Sequence, residues 1–336
     1  MLIWSENMAG KGMNEKSMTL KEAFMASPGP CGCKNTFFLF LKGFCMGGAD
    51  IIPGVSGGTI AFITGIYTQL VDAIRSFDIN FARRLFQLDI VGALAGVHLR
   101  FLVCLLCGIL LAVMSMARVM HYMLAQHPIE IWSMFFGLIA ASIFVIGRGI
   151  KPMSVCNIGF VGLGALCSFL FVGMIPVSTP ETLPFIFFCG AIAICAMILP
   201  GVSGAFLLLM LGKYEYVTGA LKNPFIGENL VILSVFALGA VSGIIVFSRL
   251  LHYLLHRWHV PTVAVLTGVM IGALRKVWPW KEVLESTVIR GKMHILREQN
   301  VMPGLDDGVL VALGLALLGA AVVLLLDHFT RRKVVV

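Results

Sequence analysis

IIPGVSGGTI, residues 51–60, and ILPGVSGAFL, residues 198–207, place the same pentapeptide, PGVSG, at two points of one chain, each time inside an apolar stretch. Proline removes a backbone donor and glycine is a poor helix former, so neither stretch is a regular helix without cost. The two stretches therefore predict two helices that are broken at PGVSG.

The composition indicates whether these breaks lie in water or in a lipid membrane. Hydrophobic residues make up 59% of the 336 residues and charged residues 12%, whereas soluble domains are about 45–50% apolar and about 25% charged. We therefore predict an integral membrane protein. The apolar runs that are candidate spans are residues 101–117, 130–147, 155–175, 230–248, 261–274 and 308–326.

The formal charge of +8 does not indicate a nucleic-acid partner. Most Lys and Arg residues flank apolar runs, where they set the orientation of a membrane protein. Among the nine cysteines, the closest pair, Cys31 and Cys33, has no further Cys or His cluster that would complete a metal site. We predict no metal, no disulfide and no cofactor. Residues 1–36 are polar and lack the apolar core of a signal peptide, which predicts a disordered cytoplasmic leader.

An internal repeat organises the rest of the chain. The two PGVSG strings are 147 residues apart, and at this offset Gly43, Tyr67 and Arg75 match Gly190, Tyr214 and Lys222. At an offset of 131 residues a second block matches, in which Arg118, His121, Tyr122 and Gly137 correspond to Arg249, His252, Tyr253 and Gly268. A duplication explains both blocks, with chance similarity between apolar helices as the alternative.

Counting crossings predicts how the two copies are oriented. If each PGVSG segment is a re-entrant helical hairpin, three spans separate the hairpins, and an odd number inverts the second copy, as in secondary transporters. The fold class is then an all-α integral membrane protein with inverted-topology repeats, each a hairpin followed by two spans. The predicted parts are a leader (1–36), repeat 1 (37–150), a linking span (151–180), repeat 2 (181–276), a polar loop (277–306) and a C-terminal span with a basic tail (307–336).

Charge supports this multi-pass topology and places both termini in the cytoplasm. Lys42, Arg75 and Arg148 fall on one side, together with the basic C-terminus. The segment 275–306 disagrees, because it is rich in Lys and Arg and yet is predicted to be external. In the rival topology, each PGVSG segment is a single kinked span.

The broken helices predict an anion site. A turn at membrane depth exposes the amide groups that begin the next half-helix, and these groups with the helix dipole attract an anion. The alternative is that small residues serve tight helix packing and that the serines bond to their own helix. The candidate binding residues of the two turns are Pro53, Gly54, Val55, Ser56, Gly57, Gly58 and Thr59 in the first, and Pro200, Gly201, Val202, Ser203 and Gly204 in the second.

Charged residues extend this candidate site. Arg118 and Arg249 are repeat-equivalent and can each hold a phosphate through two N–H groups, although a snorkelling role at the interface is the alternative. Lys42 is a further candidate for substrate binding. Asp50 lies in an apolar run, which indicates a coupling site for a proton or sodium ion, with pairing to Lys42 or to turn amides as the structural alternative.

Three strings carry a family resemblance: GGADIIPGVSGGTIAFITGIY (47–67), FFGLIAASI (135–143) and LPGVSGAFLLLMLGKYEYV (199–217). They resemble the bacterial membrane family first catalogued as domain of unknown function 368, over about residues 37–328. The resemblance implies a location in the bacterial cytoplasmic membrane and a transporter that flips undecaprenyl phosphate, or a related polyprenyl phosphate, for recycling of the carrier of envelope polymers.

Two other functions compete with a lipid translocase. An ion-coupled secondary transporter of a small anionic solute would use the same architecture. A membrane enzyme such as a lipid phosphatase needs a nucleophile and a base, and the histidines form no such pattern in the sequence, so we predict that the protein is not an enzyme. The expected partners are polyprenyl phosphate and membrane lipids, and the oligomeric state stays open, a homodimer included.

Overall fold

A computed structural model describes residues 19–51, 56–152, 154–174, 179–289, 292–304 and 307–332. The chain is mostly helical. Its helices are α1 (Leu20–Ala26), α2 (Cys33–Asp50), α3 (Gly57–Ile63), α4 (Tyr67–Arg75), α5 (Ile79–Phe86), α6 (Ile90–Gly96), α7 (Leu99–Gln126), α8 (Pro128–Gly147), α9 (Val155–Val172), α10 (Leu183–Ile198), α11 (Gly204–Met210), α12 (Tyr214–Lys222), α13 (Asn229–Arg257), α14 (His259–Val277) and α15 (Asp307–Arg332). Strands β1 (Lys281–Ile289) and β2 (Lys292–Asn300) lie between α14 and α15.

Within the described residues, six helices are long and apolar enough to cross a membrane: α7, α8, α9, α13, α14 and α15. They correspond to the six apolar runs of the sequence. The membrane-protein class predicted from composition is therefore confirmed, whereas the inverted and re-entrant arrangement stays a prediction.

Close helix pairs build the bundle: α2 with α7, α10 with α13, α8 with α15 and α9 with α14. In each pair, one glycine of each helix lies directly against the partner's backbone, and an added Cβ would overlap a carbonyl oxygen. Such close approach is how helices associate in lipid, where apolar burial between them gives little driving force. The glycines are Gly43 with Gly108, Gly190 with Gly239, Gly137 with Gly319, and Gly164 with Gly268.

The packing of α9 and α15 adds to the repeat pattern. Gly137 of α8 and Gly268 of α14 are repeat-equivalent, and they contact α15 and α9 respectively. The linking span and the C-terminal span therefore take equivalent places against equivalent helices. Residues 79–96, which form α5 and α6, account for the extra residues of the first copy, because α12 is followed almost directly by α13.

The chain turns back on itself at each break. The Lys42 ammonium group, in the middle of α2, donates to the Thr64 carbonyl oxygen just beyond α3, over 2.8 Å. Along one continuous helix these residues would be about 33 Å apart. In the second copy, Cys189 and Leu208 share one buried cluster, so α11 also folds back beside α10.

Two polar segments are more ordered than the sequence predicts. Part of the predicted leader forms α1, and Ser27 behind it is fully buried. There the Ser27 carbonyl oxygen accepts a 2.8 Å hydrogen bond from the Arg100 side chain, a contact that a sequence pattern does not reveal. Residues 1–18 of that leader lie outside the described residues.

The predicted polar loop 277–306 contains an antiparallel hairpin of β1 and β2, so the chain is not helical throughout. Its β-branched residues, among them Val283, Thr287 and Val288, favour a strand. At its base the Lys281 ammonium group lies 4.2 Å from the centre of the Trp132 ring at the start of α8.

Single cysteines in a cysteine-free protein test the hairpin topology. We expect cysteines at positions 34 and 83 to react with an impermeant reagent from one side of the membrane, and cysteines at 182 and 226 from the other. All four positions are exposed in the structure. Labelling of positions 34 and 83 from opposite sides would instead support a single kinked span.

Candidate functional site

The two breaks contact each other at the centre of the protein. The Ser56 hydroxyl, at the N-cap of α3, donates to the Met197 carbonyl oxygen over 3.0 Å. The Gly201 N–H donates to the Thr59 hydroxyl oxygen over 2.8 Å. Ser56 and Thr59 are fully buried. Two hydroxyl groups of the first break therefore satisfy two backbone groups of the second.

Close backbone approach makes this contact possible. A Cβ on Gly58 would lie 2.6 Å from the Ile198 carbonyl oxygen. Gly201 has a φ of +87°, a region that favours glycine, and its Cα lies against α14 near Met270. The predicted packing alternative thus describes part of the PGVSG strings, and the predicted anion-binding role stays a prediction.

The remaining turn residues divide into two groups. Pro53, Gly54 and Val55 lie outside the described residues. In the second turn, Ser203 is the N-cap of α11 and its side chain makes no capping hydrogen bond. Pro200 and Gly201 are buried, whereas Val202 and Ser203 are half-buried and Gly204 packs against Ala193.

Asp50 caps the half-helix that follows the first break. One carboxylate oxygen accepts a 2.6 Å hydrogen bond from the Gly57 N–H at the start of α3. A negative charge at a helix N-terminus is favourable. Among the predicted structural partners, Asp50 therefore bonds a turn amide, while Lys42 bonds the Thr64 carbonyl oxygen at the other end of α3. The coupling role of Asp50 stays a prediction.

A polar cavity of about 1220 Å³ opens between α4 and α13. Its charged and polar residues come from the first copy, on α4, α5 and the start of α7, and from one face of α13. They are Asp72, Arg75, Ser76, Asp78, Asn80, His98, Arg249, His252, Tyr253, His256 and Arg257.

A chain of hydrogen bonds links the two walls of this cavity. The Arg75 guanidinium lies 2.6 Å from Nε2 of His252, and Nδ1 of His252 lies 2.7 Å from the Asp72 carboxylate. Because a guanidinium only donates, Nε2 accepts, and the ring proton lies on Nδ1 facing the carboxylate. This chain assigns a neutral His252.

His98 and Asp78 of the cavity have shifted pKa values. Burial lowers the pKa of His98, although the nearby Asp72 charge opposes the shift. The pKa of Asp78 is also lowered, chiefly because its carboxylate accepts a hydrogen bond from the Phe81 N–H at the start of α5. The Arg249 charge contributes a smaller lowering.

Arg118 and Arg249 do not share one site. Arg249 lines the cavity together with His98, which directly precedes α7. Arg118 is exposed and lies 20 residues farther along α7 than His98, a distance of about 30 Å along the helix axis. The structure thus places the two arginines toward different ends of the protein.

Sequence analysis missed most of the cavity. Asp72, Arg75, His98, His256 and Arg257 were not proposed as binding residues. A signal was present, since positions 249, 252, 253, 256 and 257 follow the spacing of one helix face, with a polar or aromatic residue at each. The pattern along α13 does not show which helix lies opposite this face, and in the structure that helix is α4.

These features define a multi-pass membrane protein in which two broken helices contact each other and a charged cavity opens between α4 and α13. The family model described as undecaprenyl phosphate translocase-like matches residues 46–294. The chain belongs to this family.

Two curated relatives are similar over most of their length. A protein of Vibrio cholerae serotype O1, named polyprenyl-phosphate transporter, is 38% identical over 306 residues, which cover 89% of this chain and 98% of that protein. A Staphylococcus aureus protein of the same name is 32% identical over 263 residues, covering 71% of this chain and 85% of that protein. No solved structure matches the chain.

Replacing Thr59 by Val tests the contact between the breaks. Valine keeps the shape but leaves the buried Gly201 N–H without its acceptor, which costs about 1–3 kcal/mol. We expect a clearly lower melting temperature in detergent, and near wild-type behaviour for Thr59→Ser. Thr218→Val is the matched control, because the Thr218 hydroxyl bonds carbonyl groups of its own helix. Equal melting temperatures for Thr59→Val and the control would contradict the proposed importance of this bond.

Proposed function

We propose that this protein is a transporter that flips undecaprenyl phosphate, or a related polyprenyl phosphate, across the bacterial cytoplasmic membrane. Membership of the family and the names of both relatives support this substrate. The activity moves the lipid without changing it chemically, so the protein acts as a transporter and not as an enzyme.

The observation that carries the proposal is the contact between the two breaks. A phosphate headgroup needs polar groups at membrane depth, and irregular backbone is tolerated there only inside protein or beside a water-filled cavity. The Thr59–Gly201 and Ser56–Met197 bonds bring two such segments together. In our proposal the hairpins are re-entrant and inverted, and the headgroup passes beside them.

Sidedness follows from the same proposal. With both termini in the cytoplasm, the end of α4 and the end of α13 both face the cytoplasm, which agrees with the Arg75–His252 contact between them. Arg118 lies near the external end of α7. Lys42 holds α3 against α2, so its place in substrate binding is indirect. Repeat-equivalent arginines would then meet the headgroup on opposite sides of the membrane.

Transport of a labelled polyprenyl phosphate in proteoliposomes tests the function. We expect the purified protein to speed its movement between leaflets, measured by the accessibility of the phosphate to an added phosphatase. Protein-free liposomes and heat-inactivated protein are the controls. Uptake of inorganic phosphate into the lumen, without lipid movement, would favour the alternative of a small-anion transporter.

Replacing Asp50 by Asn tests ion coupling. Asparagine keeps an oxygen that can accept from the Gly57 N–H, so we expect the fold to survive. The lost carboxylate should abolish the response of transport to an imposed proton or sodium gradient, because a carboxylate in an apolar run needs a neutralising partner during the cycle. A wild-type rate with a normal gradient response would make Asp50 a structural cap of α3.

A further inference from the structure

We propose that the cavity between α4 and α13 is a binding site for a phosphate monoester, at the cytoplasmic end of the transport path. This proposal rests on the proposed function for its lipid source and for its sidedness. The site uses residues that the PGVSG strings do not include, and it joins the first copy of the repeat to the second.

Arginines without a hydrogen-bonded partner in the described structure give the cavity a binding capacity for an anion. Three arginines line the cavity, Arg75, Arg249 and Arg257. Within the described part of the chain, Arg249 and Arg257 make no hydrogen bond and no ion pair, and both lie on the face of α13 that borders the cavity. A guanidinium can hold two phosphate oxygens at once. The site therefore offers two guanidinium groups that have no hydrogen-bonded partner among the described residues, although the Arg249 charge also acts on Asp78.

The two acidic groups of the cavity accept hydrogen bonds from neighbouring groups of the protein. The Asp72 carboxylate accepts from His252 over 2.7 Å. The Asp78 carboxylate accepts from the Phe81 N–H over 2.8 Å and from the Asn80 side chain over 3.1 Å. Three arginines face two carboxylates in the cavity, so its net charge is positive and favours an anion as the ligand.

The Asp72–His252 pair holds the Arg75 guanidinium in position before a ligand binds. His252 accepts from Arg75 over 2.6 Å, and this contact fixes the Arg75 guanidinium beside α13. A group held in position loses less conformational entropy when a ligand binds. Arg75 is thus a positioned donor on the opposite wall, whereas Arg249 and Arg257 are free to close on the ligand.

The size and openness of the cavity suit a lipid headgroup. A volume of about 1220 Å³ exceeds the range of about 300–1,000 Å³ that is usual for small-molecule pockets. Phosphate alone would leave most of it empty, whereas a phosphate with the beginning of a polyprenyl chain would use more of it. Tyr253 at its edge is half exposed and offers an apolar ring for that chain.

The repeat reproduces the charged residues of this cavity only in part. The counterparts of Asp72, His256 and Arg257 at the two repeat offsets are Gly219, Ala125 and Gln126. Arg249, His252 and Tyr253 do have like counterparts, which are Arg118, His121 and Tyr122, and Arg75 matches Lys222. The full set of charged residues therefore occurs in one combination of positions, the one that α4 and α13 bring together.

Binding of farnesyl phosphate to the full-length protein in detergent tests the proposal, with farnesol and inorganic phosphate as comparison ligands. We expect Arg249→Gln and Arg257→Gln each to weaken farnesyl phosphate binding about 10-fold to 100-fold, as loss of a charge-assisted hydrogen bond should. Farnesol should bind weakly and without dependence on either arginine. Arg148→Gln is the matched control, because the Arg148 guanidinium packs on the Phe144 ring and lies outside the cavity.

A second measurement needs no arginine variant. In a cysteine-free protein carrying Tyr253→Cys, farnesyl phosphate should protect the new thiol from a thiol reagent, and farnesol should not. Wild-type affinity in both arginine variants, or no protection at position 253, would overturn the site even if the wild-type protein flips polyprenyl phosphate in liposomes. Arginine-dependent binding of inorganic phosphate alone would keep the phosphate site but overturn its lipid source.

Discussion

A hydrogen bond between a buried backbone amide and a buried hydroxyl, from Gly201 to Thr59, joins the two breaks on which the fold depends. In a bilayer no water is available to replace a missing partner, so each unsatisfied backbone group at this depth is costly. The break in α10–α11 is stable because the first copy supplies an acceptor. The first copy also supplies a donor, since the Ser56 hydroxyl donates to the Met197 carbonyl oxygen of the second copy. The second break thus depends on hydroxyl groups that only the first supplies.

The glycine contacts within the helix pairs hold the two breaks in place. Because α2 lies directly on α7, and α10 on α13, each broken helix rests on a long continuous span. The breaks interrupt only short helices, and the long helices beside them carry the crossing of the membrane. Movement of one copy against the other would therefore strain the central bonds before it disturbed the helix pairs.

The sequence predicted the helical membrane class, the six long apolar helices and the location of the breaks, because these follow from composition, helix length and Pro-Gly chemistry. It did not predict α1 or the β-hairpin, whose order depends on contacts with residues far along the chain, such as Arg100 and Trp132. Among site residues it identified Arg249 from the repeat, yet it missed Arg75 and Asp72. Repeat matching finds equivalent positions, and it cannot find a cavity that forms where unlike positions of two copies meet.

The departures from symmetry have a mechanistic meaning. A membrane potential that is negative inside opposes inward movement of an anionic headgroup by about 2.3 kcal/mol per charge per 100 mV. A basic cavity at the cytoplasmic end would lower the energy of the arrived headgroup, but binding at one side changes only the affinity there and cannot drive net transport. An input of free energy has to come from a coupled ion or from consumption of the delivered lipid. Asp50, Asp72 and Arg257 have no charged counterpart at the matching positions of the other copy. The repeated helices thus form the transport path. The direction of transport has to depend on residues that have no counterpart in the other copy.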